Sequence, residues 1–434
     1  MLSDSAAGRR FARRLVPVAL LMTSLALADP PTPPPPAPEG ASREELLRAL
    51  VEHSRHDATL AEGALAGPGA ELLQRLAADA QFVLMGESHG SEGVADFATA
   101  LWSLLRPLRY THAAIETDPW VAERLEQILR AEGLGAWARF LEERGGAAAA
   151  PFVTWAAEAR FAQAVLASTP DAPGPSLWGL DQVFIGSAGW LLQEVAVGAS
   201  SPAARDTAAA LATQATKGGL NGFMTLEASR LAALRDALSA PEDAGWRGLV
   251  EAMILSQDIY RPFTGGAGEA LFANDTRERL MRRLFVGYYE RAEAVGQAPR
   301  VLLKFGANHM YRGASPVQVQ GLGGFVSEFA AARGADSLAL LVLCGPGGQA
   351  GDLSGRASDC GDELAKGDWS FLLPYVDAGS PTLFDLRSWR LRPGRFRHLP
   401  AEVQRAVGSF DFLVFVPGAA SAFLPGVSPL AATT

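Results

Sequence analysis

Six short apolar runs constrain the fold more than any other feature of this chain: residues 82–85, 113–115, 176–180, 301–305, 338–343 and 412–416. Each is nearly continuous in hydrophobicity, the pattern of a strand covered on both faces in a parallel sheet. Helical patterns lie between them. Asp118 and Pro119, for instance, supply an N-cap and a first helical residue for a helix whose Val121, Leu125 and Ile128 share one face. Strands alternating with helices predict an α/β fold, with a central, mostly parallel sheet flanked by helices.

No run between about 186 and 296 reads as a strand, while helical patterns cover 203–217, 225–240 and 268–295. This stretch is predicted to be a helical insertion that forms one wall of a cleft and returns to the sheet at Val301. The chain has 434 residues, 48% hydrophobic and 20% charged, enough to bury one large core, and 42–434 is read as one α/β domain. There is no repeat of fixed period. The Ala- and Pro-rich tail from Gly418 is expected to pack loosely.

Ahead of that domain, Arg9, Arg10, Arg13 and Arg14 precede an apolar run, and Ala26-Leu27-Ala28 offers a small-x-small cleavage pattern. Residues 1–28 therefore read as a signal peptide and 29–41 as a Pro-rich, extended spacer. The expectation is an exported protein, periplasmic or extracellular, with no transmembrane segment after cleavage; an uncleaved anchor is the alternative. In an oxidising compartment Cys344 and Cys360, the two cysteines of the chain, are expected to form a disulfide across a Gly-rich segment. The net charge of −9, with no basic block beyond the first 14 residues, argues against a nucleic-acid partner.

Chemistry-bearing residues follow four of the apolar runs. Gly86-Glu87-Ser88-His89-Gly90 follows the first, Glu116 and Asp118 the second, Asp181 and Gln182 the third; Lys304, Asn308 and His309 close the fourth. Open α/β sheets place ligands at the carboxyl edge of their strands, so these side chains are predicted to share one rim. Several have structural alternatives. Glu87 can accept turn N–H groups, Ser88 lacks a G-x-S-x-G elbow and reads as a small turn residue, and Asp118 reads as a helix cap. His112 lies at the far end of its strand and reads as structural, while His53, His56 and His398 follow no pattern. Arg277 shares a helical stripe with Ala273, Met281, Leu284 and Tyr288. On such a stripe a guanidinium requires a carboxylate or a substrate anion, and Glu87, Glu116 and Asp181 are the candidates.

Taken in order, GESHG, IETD, GLDQ, NDTRERLM and KFGANH resemble the erythromycin esterase-like superfamily, which includes the ChaN-like haem-binding proteins; FDFLVFVPG resembles its closing strand. The resemblance spans roughly residues 75–425. It implies that His89 is a general base activating water, with Glu87 and Glu116 as its orienting or electrostatic partners. A near-neutral imidazole would suit that role. Arg277 and His309 would line the cleft, binding substrate or stabilising negative charge, and Asp181, Lys304 and Asn308 would join them in substrate binding. Only Ser88 separates Glu87 from His89, a spacing closer to the ChaN-like branch than to the macrolide esterases. The leading expectation is an exported hydrolase of an ester or related bond in a small molecule, needing no cofactor. The alternatives are non-covalent carriage of haem or another small ligand, with His89 or His309 on the iron, and hydrolysis assisted by a divalent metal such as zinc or manganese.

Overall fold

The structure, a computed structural model, describes residues 30–430 except for 37, 171, 173, 266 and 267. The expected signal segment, residues 1–28, lies outside the described residues. Eight strands form one sheet: β1 (Arg55–Asp57), β2 (Ala80–Glu87), β3 (Tyr110–Ile115), β4 (Leu177–Gly179), β5 (Arg300–Gly306), β6 (Asp336–Cys344), β7 (Thr382–Asp385) and β8 (Phe412–Val416). Their spatial order is β1-β7-β8-β6-β2-β5-β3-β4. Every pairing from β8 to β4 is parallel, and β7 runs antiparallel to both of its neighbours. All six predicted strands are present in an α/β fold. The two that were not foreseen, β1 and β7, are short, and the Arg-His-Asp sequence of β1 has no apolar residue; pairing with neighbours makes them strands.

Successive side chains of a strand point to opposite faces. Val83, Met85, Ala113, Ile115, Leu302 and Val342 go to one face, where they join a core with Leu73, Phe97, Leu101, Phe161 and Val165. Those partners come from helices Pro68–Asp79, Glu92–Leu105 and Ala156–Ser168. Phe82, Leu84, Ala114, Leu303, Phe305 and Leu341 go to the other face, packing with Phe285, Tyr289, Val326 and Val407. Here the helices are Ala270–Val295, Leu322–Ala332 and Ala401–Ser409. Burying a side chain such as Phe82 stabilises the fold by about 1.5–3 kcal/mol relative to exposure, and both layers hold several. Among the described residues no helix is long and apolar enough to cross a membrane.

The 26-residue helix Ala270–Val295 closes the helical stretch and lies directly against the sheet, where Phe285 meets Phe82 with ring centroids 5.5 Å apart. Asp118 caps helix Pro119–Ala131 by accepting from Val121 N at 2.8 Å. His112 lies within β3, its strand beginning earlier than the apolar run suggests; its buried ring packs against Trp178 at 5.0 Å. The Pro-rich spacer touches the body: Arg395 Nη2 donates to the Pro35 carbonyl at 2.6 Å.

The loose packing expected of the tail is corrected. Residues 418–430 are tied to the body, with Leu424 and Val427 buried. Ser421 N donates to the Gly90 carbonyl at 2.8 Å, Ala156 N to Ala422 at 2.8 Å and Ala147 N to Ser428 at 2.8 Å. Ser428 Oγ adds a bond to Glu142 Oε1 at 2.9 Å, but most of these bonds come from backbone groups, and the alanines and prolines of the tail carry no periodic pattern that would announce them.

Cys344 and Cys360 form a disulfide across 16 residues. It closes the hairpin of Gln349–Gly351 with Ala357–Asp359. Constraining a loop of this length in the unfolded chain is worth about 3 kcal/mol. The double variant Cys344→Ser, Cys360→Ser is expected to lose roughly that much in chemical denaturation, and unchanged stability would contradict a clasp at this place.

Candidate functional site

The carboxyl ends of β2, β3 and β5 meet at one rim, and the turn after β2 is held there from three sides. Ser88 N donates to the Val342 carbonyl at 3.0 Å, and Ser88 Oγ accepts from Cys344 N at 2.7 Å. The hydroxyl therefore ties the turn to β6. Gly90 has φ +81°, and a Cβ there would stand 1.9 Å from the Gly351 carbonyl oxygen. The position requires glycine for both reasons. Its own carbonyl accepts from Gly351 N of the disulfide-closed hairpin and from Ser421 N of the tail, each at 2.8 Å.

Strand alternation then places charges on both faces of the sheet. Glu87 continues the face of Val83 and Met85, and Lys304 that of Leu302. Lys304 Nζ donates to Glu87 Oε1 at 2.7 Å and to Glu158 at 2.8 and 2.7 Å, with all three side chains buried. On the other face, Arg277 Nη2 donates to Glu116 Oε1 at 2.8 Å, and Arg277 Nε to Asp181 Oδ1 at 2.9 Å. His309 Nε2 approaches Glu116 Oε1 at 3.3 Å, while its Nδ1 lies 2.6 Å from Glu278 Oε1. Glu116 Oε2 accepts from Gly306 N at 2.6 Å. Arg277 thus meets two of its three candidate carboxylates.

His89 joins the two halves across the edge of the sheet. Its Nδ1 lies 3.1 Å from Glu87 Oε1 and its Nε2 lies 3.4 Å from Glu116 Oε2. The ring stacks on Phe152, centroids 4.1 Å apart, and 29% of its side chain remains exposed. A Cβ on Gly306 would come within 2.7 Å of Nε2, so the glycine leaves the imidazole room to sit there.

Electrostatics decide the resting protonation states. Burial disfavours the His89 cation, but the Glu116 and Glu87 carboxylates outweigh it and raise the imidazole to about 10. Burial works against the His309 cation too, yet Glu116 and Glu278 raise it to about 9 despite Arg277. Glu116 would be pushed up by burial, but His309 and His89 hold it well below the usual carboxylate range. Lys304 and His89 likewise overcome burial and lower Glu87. The near-neutral imidazole expected of a general base is therefore corrected: at neutral pH His89 rests as the cation between two carboxylates.

Lys304 is buried and its ammonium is engaged by Glu87 and Glu158, which makes it a holder of Glu87 and not a surface contact for substrate. Asn308 is exposed on the short helix Ala307–Met310 and takes no part in the network among the described residues. Asp181 holds Arg277, and Gln182 is buried beside it. Burial raises Asp118 to about 7, against the Val121 cap bond and helped by Asp181. Sequence reasoning missed Glu158, Glu278 and Phe152. Glu158 carried a signal, being an acid three residues before Phe161 in an otherwise Ala-rich helix, and Glu278 follows Arg277 directly. Phe152 carried none.

The cavity bounded by Glu87, His89, Glu116, Phe152, Glu158 and Lys304 is small, ≈ 20 Å³. That is room for about one water molecule. The cavity is too small to enclose a haem, and both nitrogens of His309 already face carboxylates. A divalent ion fits no better: Lys304 and Arg277 already neutralise the carboxylates, and among the described residues no three His, Cys, Asp or Glu side chains are set to hold a metal.

Both raised histidines have folded-state values above the ordinary imidazole value of about 6.5. Their contribution to stability is complete below that value and is lost as pH rises through about 9 and 10. The gap in melting temperature between the natural chain and His89→Asn should therefore narrow as pH is raised from about 7 to about 10. A gap that stays constant or widens would show that His89 is not held as a cation.

No protein-family model matches this chain, and neither does any curated protein. Solved structures do share its fold. A succinoglycan biosynthesis protein aligns with TM-score 0.55 at 12% identity, over 87% of this chain and 98% of its own. A Bacillus cereus protein aligns with TM-score 0.54 at 12% identity, over 88% and 99%. An erythromycin esterase, a histidine-to-asparagine mutant in its open conformation, aligns with TM-score 0.53 at 15% identity, over 85% and 99%. The resemblance read from the motifs is met at the level of the fold.

Proposed function

We propose that this chain, on the fold it shares with an erythromycin esterase, hydrolyses an ester or related bond of a small molecule, with His89 as general base. The observation that carries the reading is the position of His89: one ring nitrogen held by Glu87, the other in a longer contact at the rim, beside Arg277 and His309. In the reactive form His89 is neutral, with Nδ1–H on Glu87 and Nε2 facing a water. Nε2 takes a proton from the water as its oxygen attacks the carbonyl carbon, and the π electrons move to the carbonyl oxygen. The Arg277 guanidinium stabilises that developing charge through its field, since its Nε and Nη2 and both His309 nitrogens already face carboxylates. The tetrahedral intermediate then collapses, the alkoxide leaves, and it takes the proton from His89, giving acid and alcohol.

The resting cation makes this mechanism dependent on pH. With the free imidazole at about 10, only about one molecule in a thousand carries the reactive base near pH 7. kcat/KM is therefore expected to climb about tenfold per pH unit above neutrality, levelling near 10. A rate that falls over this range would assign His89 the acid role instead. His89→Asn should keep the fold, because Lys304 and Arg277 still hold Glu87 and Glu116, and lower turnover on an ester panel by roughly 100-fold or more. Full activity in the folded variant would reject the mechanism. Absence of turnover by the natural chain would favour a site that only binds.

Export belongs to the same proposal, supported by the Cys344–Cys360 bond, which persists in oxidising compartments. Intact mass of protein from its own host is expected to give a chain beginning near Asp29, and retention of residues 1–28 would count against cleavage.

A further inference from the structure

A second cavity, ≈ 420 Å³, lies against helix Pro119–Ala131 and shares no lining residue with the cavity beside His89. It is a cleft open to solvent, bordered by that helix, by Ala188–Gly198, by the turn Pro241–Asp243 and by Ala244–Tyr260, and its volume is in the range of small-molecule pockets. Three tryptophans line it: Trp120, Trp190 and Trp246. Trp190 is held in place by its Nε1, which donates to the Ala149 carbonyl at 2.9 Å, and its ring meets Phe140 edge-on at 5.2 Å. Trp246 lies over Gly198, where a Cβ would come within 2.5 Å of the indole, so the helix at that point makes room for the ring. These aromatic walls are preset.

The polar groups of the cavity have an uneven balance. Glu123, Glu194 and Glu242 bring three carboxylates against the single guanidinium of Arg124. Arg124 Nη2 is paired with Glu194 at 2.5 Å, which matches one positive charge with one negative. Gln127 Nε2 donates to Glu123 at 3.1 Å, a neutral contact that leaves the Glu123 charge in place. Glu242 forms no ion pair among the described residues. Two uncompensated carboxylates and three indole rings remain. Both attract cations, the rings through the negative potential of their faces. An anion meets repulsion here, and a neutral ligand lacks the net Coulomb attraction that a cation gains.

From this we infer that the cavity is a binding site for an organic cation, an amine or quaternary ammonium carried on an apolar body, distinct from the hydrolytic rim. The inference does not depend on the hydrolase reading, since it rests on other residues and is read out by binding alone.

Choline and its neutral isostere, the alcohol in which carbon replaces the ammonium nitrogen, separate charge from shape. Titrated into the full-length protein and followed by calorimetry and tryptophan fluorescence, choline should bind saturably, one per chain, and the isostere about tenfold more weakly or not at all. Glu123→Gln with Glu242→Gln, two substitutions at exposed positions of nearly unchanged shape, should weaken choline by about tenfold while leaving the melting temperature in place. Trp246→Ala should do the same, with the double glutamine variant as the check if this one folds poorly. Equal affinity for the two probes, choline binding untouched by the paired glutamines, or no saturable binding of choline would each overturn the assignment.

Discussion

The structure depends on a row of alternating charges threaded across the carboxyl edge of its sheet. Lys304 sits between Glu158 and Glu87 on one face, and Arg277 between Asp181 and Glu116 on the other. His89 spans the gap between Glu87 and Glu116. Burying any one of these charges alone would cost several kcal/mol. Buried as a series, each has an opposite charge in contact, and backbone N–H groups of Gly306, Leu322 and Gln182 satisfy further carboxylate oxygens of Glu116, Glu278 and Asp181. One oxygen departs from this pattern: Glu87 Oε2 is buried without a hydrogen-bond partner, and Glu87 lines the small cavity under His89. A water in that cavity would satisfy it.

The same row explains why the helical stretch docks where it does. Helix Ala270–Val295 brings Arg277 and Glu278 side by side, one reaching Asp181 and Glu116, the other His309 and Leu322 N. Adjacent residues on a helix point about 100° apart, so the pair grips two different elements of the rim at once. Apolar contacts of Met281 and Phe285 lie one and two turns further along the same face. Packing sets the helix against the sheet, and the charges set its register along it.

Around the turn that carries His89, backbone contacts matter more than side chains. The hairpin closed by Cys344–Cys360 and the chain beyond Gly418 both bond to the Gly90 carbonyl, from segments more than 250 residues away in sequence. Helix Ala156–Ser168, which carries Glu158, is bonded at its start to Ala422. The tail therefore touches both the turn that bears His89 and the helix that supports Glu87 through Lys304.

The six apolar runs were legible because a strand buried on both faces needs continuous hydrophobicity. The rim residues were legible because parallel strands deliver the side chains at their carboxyl ends to one edge. The sequence by itself determined the parallel α/β architecture, the edge at which Glu87, His89, Glu116, Asp181 and His309 gather, the Asp118 cap and the cysteine pair. Tertiary structure decided the rest. It made strands of Arg55–Asp57 and Thr382–Asp385, which have too little pattern to declare themselves, and it seated the tail largely through backbone hydrogen bonds, which leave no pattern in the sequence. It also decided that Lys304 holds Glu87 and that His89 rests protonated. Charge states depend on which ions end up within a few ångströms of each other after the chain has closed, and that distance is a property of the packed molecule.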